Sequence, residues 1–338
     1  MSLPTTTRQF ELASRPKGVP TLENFRFAEA ALPELEDGQI LVKNLAISVD
    51  PYMRGRMNDV KSYTPPYRLD EPMLGGAVGE VLASRSAEVA VGDVVVHEKG
   101  WREAAVLSAD GVQKVDLSIA PATAYLGALG MTGLTAYAGL TKVAGFKAGD
   151  VVFVSGAAGA VGSMVGQLAK QLGASRVIGS AGSAEKVAHL LELGFDAAFN
   201  YHDGPVKDQL KAALGDAAGI DVYFDNVGGE HLEAALTHMN NFGRIALCGA
   251  ISQYNSTEAP VGPRNLALAV GKQLTLRGFL VFSYYQFAEE YAQLVGPLLA
   301  AGKIQYQETV VHGVENSAQA FIDMLGGANT GKMVITLD

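Results

Sequence analysis

The distribution of hydrophobic and polar positions changes near Thr123 and divides the chain into two textures. Ahead of that point, short apolar runs alternate with breaks rich in Gly, Pro and Asp. They predict strands over residues 8–13, 40–49, 79–83, 94–97 and 104–107, with Gly38 and Gly92-Asp93 in turns before strands. No helical period runs through this region, which reads as a mostly β unit. Asp50-Pro51-Tyr52-Met53-Arg54-Gly55-Arg56-Met57 interrupts it directly after an apolar strand. A Tyr and two Arg there suit a solvated loop or the lining of a cleft.

Beyond Thr123, residues 126–140 are small and apolar and predict one packed helix entered through Gly130-Met131-Thr132-Gly133. Strands then alternate with helices. Strands are expected over 151–154, 176–180, 197–200, 220–225, 244–248 and 274–280. Helices are expected over 162–172, 183–193 with Ser183 as N-cap, 206–214, 230–239, 266–272 and 287–301. This order predicts an α/β, Rossmann-like doubly wound parallel sheet. The end of the chain reads as strand 306–311, helix 317–325 and strand 333–337.

The chemistry starts from Val151-Val152-Phe153-Val154 and the glycines behind it, Gly156, Gly159 and Gly162. Strand, glycine turn and helix form the context of a dinucleotide loop, with Gly159, Ala160, Val161 and Gly162 at the pyrophosphate. Glycines let the backbone approach the anion, and the helix N-terminus holds it. An NAD site carries an Asp or Glu at the end of the second strand to bond the ribose. Here that strand runs into Ala181-Gly182-Ser183, with no acid. Lys186 instead stands in the first turn of the next helix, where a cation opposes the dipole. The 2′-phosphate of NADP would reverse that sign, and Tyr201 is placed to donate to the same phosphate.

The 338 residues are 48% hydrophobic and 18% charged, a globular composition long enough for about two domains. The net charge of −9 argues against a nucleic-acid partner. No apolar run approaches the ~18 residues of a membrane span, and MSLPTTTRQF lacks a signal core. One cysteine, Cys248, excludes an internal disulfide framework and fits a reducing, cytoplasmic setting. It reads as a small residue inside strand 244–248, or as a cofactor wall. Six dispersed histidines show no ligand spacing, so no metal is expected.

Three longer motifs carry a resemblance: Gly156-Ala157-Ala158-Gly159-Ala160-Val161-Gly162-Ser163, Phe224-Asp225-Asn226-Val227-Gly228-Gly229 and Gly243-Arg244-Ile245-Ala246-Leu247-Cys248-Gly249-Ala250-Ile251-Ser252. With the Asp50–Met57 segment and Asn329-Thr330-Gly331-Lys332, they resemble the zinc-independent medium-chain dehydrogenase/reductases. Within that family the similarity is to the branch of prostaglandin reductases, alkenal double-bond reductases and curcumin reductase. The resemblance implies a GroES-like β domain from residues 1–122 plus 305–338, with a Rossmann domain, 123–304, inserted. It implies reduction of the carbon–carbon double bond of α,β-unsaturated ketones and aldehydes by NADPH. It assigns Lys186 and Tyr201 to the 2′-phosphate. Further cofactor contacts fall on Asn226, on Cys248, Gly249, Ala250, Ile251, Ser252 and Tyr254, on Phe279, Leu280 and Val281, and on Asn329. Zinc-dependent relatives place a ligand cysteine after the strand that here ends at Val49. Asp50-Pro51 occupies that region, and Gly75-Gly76 stands where Gly-His-Glu would be.

Hydride addition to the β-carbon leaves an enolate, whose oxygen needs a donor. Tyr254 is the first candidate, at the carboxyl edge of the fifth strand, and Tyr52 the second. Each also suits a cleft wall that only shapes the pocket. Met131, Phe279, Phe282, Tyr284 and Tyr285 suit either an apolar pocket or core. The competing enzyme is an NADPH-dependent quinone oxidoreductase. A non-enzymatic alternative is an NADPH-binding sensor or crystallin-like store. The expected partner is a small-molecule enone or enal. The resemblance also implies a homodimer, for which the apolar strand over 274–281 offers an edge.

Overall fold

The computed structural model describes residues 3–337; Met1, Ser2 and Asp338, at the ends of the expected β domain, lie outside the described residues. The chain forms two compact units, residues 1–130 with 308–338 and residues 131–307. In the first, strands β1 (Thr6–Leu12), β2 (Phe25–Ala31), β3 (Gln39–Ser48), β4 (Ala77–Ser84), β5 (Val94–His97), β6 (Ala104–Ser108) and β7 (Gln113–Val115) follow in order, with a short helix α1 (Tyr52–Arg56) after β3. The second holds α2 (Met131–Tyr137), β8 (Val151–Val154), α3 (Ala160–Gln171), β9 (Arg176–Ala181), α4 (Ala184–Glu192), β10 (Ala197–Asn200), α5 (Val206–Leu214), β11 (Ile220–Asp225), α6 (Gly229–His238), β12 (Met239–Leu247), α7 (Leu268–Gly271), β13 (Thr275–Gly278) and α8 (Ala288–Ala300). Strand β14 (Glu308–His312), helix α9 (Ser317–Leu325) and strand β15 (Lys332–Thr336) return to the first unit.

In the first unit β14 and β15 join β3, β4, β5 and β7 in one sheet, with β6 also pairing β3. Its core centres on Trp101, stacked on Phe25 and met edge-on by Phe10 and Phe321, with Met53, Met57 and Met73 beside it. In the second unit the sheet runs β10-β9-β8-β11-β12-β13, every pairing parallel. All four side chains of β8 are buried, and Phe153 stacks between Tyr223 and Phe199. The order reverses between β8 and β11, where doubly wound sheets open a crevice for ligands.

Several elements differ from the sequence expectation. Residues 50–57 do not form an open loop; Tyr52–Arg56 is helical, with Met53 and Met57 buried four residues apart and the buried Arg54 donating to the Gly18 carbonyl at 2.8 Å. Five residues are too few for a readable period, and tertiary anchoring holds the turn. The single helix expected over 126–140 is instead a 3₁₀ turn (Ala122–Leu126), α2 and a π-helical stretch (Ala138–Val143). Gly139 packs directly against two rings: a Cβ there would lie 2.4 Å from Phe224 and 2.6 Å from Phe279. The fifth strand ends at Leu247, so Cys248 is not inside it. The helix expected over 266–272 shrinks to the four residues of α7, and the strand over 274–280 to β13. Strand β2 is not expected from its sequence, since four of its seven residues are Ala or Glu, with weak β preference; pairing with β1, Phe10 opposite Phe27, supplies the order.

Candidate functional site

Strand β8 delivers the chain into Ser155 and Gly156, whose φ of +58° suits glycine. Gly159 stands at the N-cap of α3, and no side chain caps that helix. The donors of its first turn, at Ala160, Val161 and Gly162, are therefore presented by small residues alone. A Cβ on Gly162 would meet the Gly156 carbonyl oxygen at 2.4 Å, so only glycine closes this turn. The cradle fits a pyrophosphate.

At the end of β9 the chain passes Gly182 into Ser183, whose hydroxyl accepts from the Lys186 amide at 3.3 Å as the N-cap of α4. Tyr201, just after β10, reaches back over this turn: its amide donates to Ala181, and a Cβ on Gly182 would come 2.8 Å from its hydroxyl. Gly182, Ser183, Lys186 and Tyr201 thus share one edge of the sheet. Burial lowers the Lys186 ammonium pKa, a cost that a bound anion would offset.

The densest polar network lies at the crossover between β8 and β11. Asp225 ends β11 almost fully buried, and its Oδ1 accepts from the Tyr223 hydroxyl at 2.7 Å, Ser155 Oγ at 3.2 Å, Val227 N at 3.0 Å and Gly228 N at 2.8 Å. Burial pushes its carboxyl pKa up, while those donors pull it back. Ser155 Oγ accepts from Asn226 N at 3.0 Å, and Asn226 Nδ2 donates to the Ser155 carbonyl at 2.8 Å. The Asp225 carbonyl accepts from Cys248 N and Gly249 N, Asn226 from Ile251 N, and Val227 from both Ser252 N and Ser252 Oγ. Gly228 and Gly229 both have positive φ, which turns the chain within this lacing. Asn226, the 248–252 loop and Tyr254 are thereby gathered; the Tyr254 hydroxyl accepts from Ala250 N at 3.4 Å. Burial and the nearby Asp225 push the Cys248 thiol up to about 12, which keeps it neutral at pH 7.

Phe279 continues from β13 and packs its ring edge-on against Phe224 and Tyr284. Val281 is buried, whereas Leu280, Phe282 and Tyr285 are exposed. Tyr284 is a core residue, and Met131 opens α2.

In the other unit, Tyr52 opens α1, and burial together with Asp50 raises its phenol pKa, so it stays a proton-bearing donor. Asp50 forms a buried ion pair with Lys332, whose Nζ donates to Asp50 Oδ1 at 2.8 Å and to the Val49 carbonyl at 2.7 Å; Ser48 Oγ also donates to Asp50. Asp50, where the resemblance implied a departure from zinc-dependent enzymes, is thus paired with the protein's own cation. Gly75 faces Met53, whose methyl lies 2.3 Å from where a Cβ would stand. Asn329 turns its side-chain amide onto the Gly331 carbonyl at 2.7 Å. Among the described residues, no three His, Cys, Asp or Glu side chains cluster as a metal site. The buried hydrogen bonds of Ser155, Asp225 and Lys332 are not expected from the sequence. The available signals were an acid ending a strand with a mainly apolar interior and a lysine opening a buried one.

Residues 8–115 match the family described as the N-terminal domain of oxidoreductase, and residues 160–298 match the zinc-binding dehydrogenase family. An NADPH-dependent curcumin reductase of Escherichia coli (strain K12) is 40% identical over 97% of this chain and 96% of its own length. A 2-alkenal reductase (NADP(+)-dependent) of Nicotiana tabacum is 44% identical over 88% of this chain and 86% of its own. The crystal structure of CurA from Vibrio vulnificus in complex with NADPH matches with a TM-score of 0.92 and 42% identity, covering 98% of this chain and 99% of that one.

Proposed function

The chain belongs to the zinc-independent medium-chain dehydrogenase/reductases and is an NADP-dependent oxidoreductase, and we propose that it reduces the carbon–carbon double bond of α,β-unsaturated ketones and aldehydes. The observation that carries this reading is the gathering of Asn226, residues 248–252 and Tyr254 at the crossover beside the glycine loop. When bound, NADPH supplies the hydride that adds to the β-carbon. The helix α3 N-terminus holds the pyrophosphate, and Lys186 with Tyr201 holds the 2′-phosphate. Residues 248–252 and Phe279–Val281 line the nicotinamide half, and Asn329 is assigned a further contact.

Negative charge then develops on the substrate's carbonyl oxygen, the Tyr254 hydroxyl donates a hydrogen bond to it, and a proton taken up from solvent at the α-carbon completes the saturated product. A phenol with a reference pKa of about 10 remains a donor at neutral pH. The Ala250 amide pointing at its oxygen polarises the O–H and strengthens that donation. Tyr52 is the second donor. In this scheme protein hydroxyls contribute to stabilising the developing charge. The test compares loss of NADPH absorbance with an enone, an enal and a quinone at equal concentration. Rapid turnover of enone and enal supports the reading, whereas turnover of the quinone alone contradicts it.

We also assign the exposed edge at β13, flanked by exposed Val270 and Phe282, to pairing with a second copy. Light scattering should give a dimer mass that Val270→Glu reduces to that of a monomer; a wild-type monomer would refute this.

A further inference from the structure

Asp225 makes no use of its carboxylate for chemistry in the scheme above, yet it receives more hydrogen bonds than a strand end requires. One oxygen takes two side-chain hydroxyls and two backbone amides, and its own carbonyl takes two more amides. These donors come from three separate strand ends: Ser155 after β8, residues 227 and 228 after β11, and residues 248 and 249 after β12. Tyr223 is fully buried and turns its hydroxyl onto both Ser155 Oγ, at 2.9 Å, and Asp225. We propose that Asp225, with Ser155 and Tyr223, is a positioning brace that fixes the loops after β11 and β12, assigned to the nicotinamide half of NADPH, against the end of β8, while leaving the adenosine half to α4 and Tyr201.

The inference rests on the assignment of Asn226 and residues 248–252 to cofactor contact. Its basis is geometric. The loop after β11 must hold Asn226 toward the crossover while Val227 and Gly228 fold back, and the carboxylate is the one acceptor placed to take both returning amides. Cys248 and Gly249 then dock on the same residue's carbonyl, so a shift at 225 moves both loops together. The adenosine-side turn bonds elsewhere, through Ser183, Ala181 and Lys186. Burial of the carboxyl without a partnering cation explains why neutral and dipolar donors surround it.

The brace predicts a division between two halves of one ligand. NADPH affinity is read by quenching of intrinsic fluorescence, and 2′,5′-ADP, which carries only the adenosine half, is measured beside it. Tyr223→Phe keeps the stacked ring and removes one hydroxyl, so it is the variant that folds; NADPH affinity should fall about threefold. Ser155→Ala should cost about tenfold, and Asp225→Ala more. In each, 2′,5′-ADP affinity should stay within twofold of wild type, which a general loss of structure would not allow. Asp225→Asn, which retains an acceptor oxygen, should recover part of the loss seen in Asp225→Ala. Equal weakening of NADPH and 2′,5′-ADP, or unchanged NADPH affinity in both Tyr223→Phe and Ser155→Ala, overturns the brace. Asn226→Ala tests the assignment beneath it. If that variant leaves NADPH affinity unchanged, the contact reading fails and the brace falls with it. If it weakens NADPH while the Tyr223 and Ser155 variants do not, the brace alone fails.

Discussion

Two buried carboxylates stand at strand ends in the two units, and they are held in opposite ways. Asp50, just past β3, is closed by a full cation, Lys332, which reaches it from a strand 282 residues later in the chain. Asp225, at the end of β11, has four hydrogen-bond donors on one oxygen, all from hydroxyls and backbone amides. An ion pair fastens two segments at one point. A fan of dipolar donors ties several loops at once, and each tie is individually weak. The first arrangement suits a structural joint between β3 and β15. The second suits loops that must keep a fixed spacing around a ligand. Removing a single partner should therefore do very different damage in the two units.

The largest effect expected is on stability in the Asp50 joint. Lys332→Met strands a buried carboxylate and should cost about 3–5 kcal/mol, read as a lower urea midpoint. Asp50→Asn combined with Lys332→Met should recover most of the loss. By contrast, Tyr223→Phe removes one of several donors and should cost only about 1 kcal/mol. Equal losses for Lys332→Met and Tyr223→Phe would erase the distinction.

Acid should affect both units alike. His97 and His231, one in each unit, are buried, and burial lowers both to about 4. Both are neutral in the fold, whereas the unfolded chain takes up their protons near the reference pKa of about 6.5. The stability they permit is complete above that value and is lost as pH falls toward 4, by up to about 3 kcal/mol each. His97→Gln or His231→Gln should flatten the pH dependence of the urea midpoint in this window. An unchanged slope in both would contradict the burial argument.

Two effects on activity are expected in the unit that carries the glycine loop. Tyr254→Phe should lower enone turnover about 100-fold with little change in NADPH affinity; a loss under about threefold rejects a donor role. Lys186→Ala should raise the KM for NADPH about tenfold, or about 1.4 kcal/mol, and leave that for NADH unchanged. Parallel changes for both nucleotides would remove the 2′-phosphate assignment.

Local features of the fold were legible in the sequence, and long-range ones were not. Strand β8, helix α5 and strand β11 have the bounds expected from apolar runs and breakers, and Ser183 caps α4 as its residue type suggests. Each depends on neighbours within a turn or two. The π-helical stretch over residues 138–143 holds Gly139 against the Phe224 and Phe279 rings, a long-range contact that no local pattern announces. Near the proposed site, Lys186 stands in the first turn of α4, as its local sequence predicts. The bonding of Asp225 was not legible, since its partner Ser155 is 70 residues away, and that of Lys332 was hidden by its still greater distance from Asp50.

The most direct test of the proposed chemistry follows the hydride itself. The protein is given NADPH deuterated at the transferable position together with an α,β-unsaturated ketone, and the product is read by NMR. The account predicts a saturated ketone with deuterium on the β-carbon. Deuterium on the former carbonyl carbon of an allylic alcohol would contradict it.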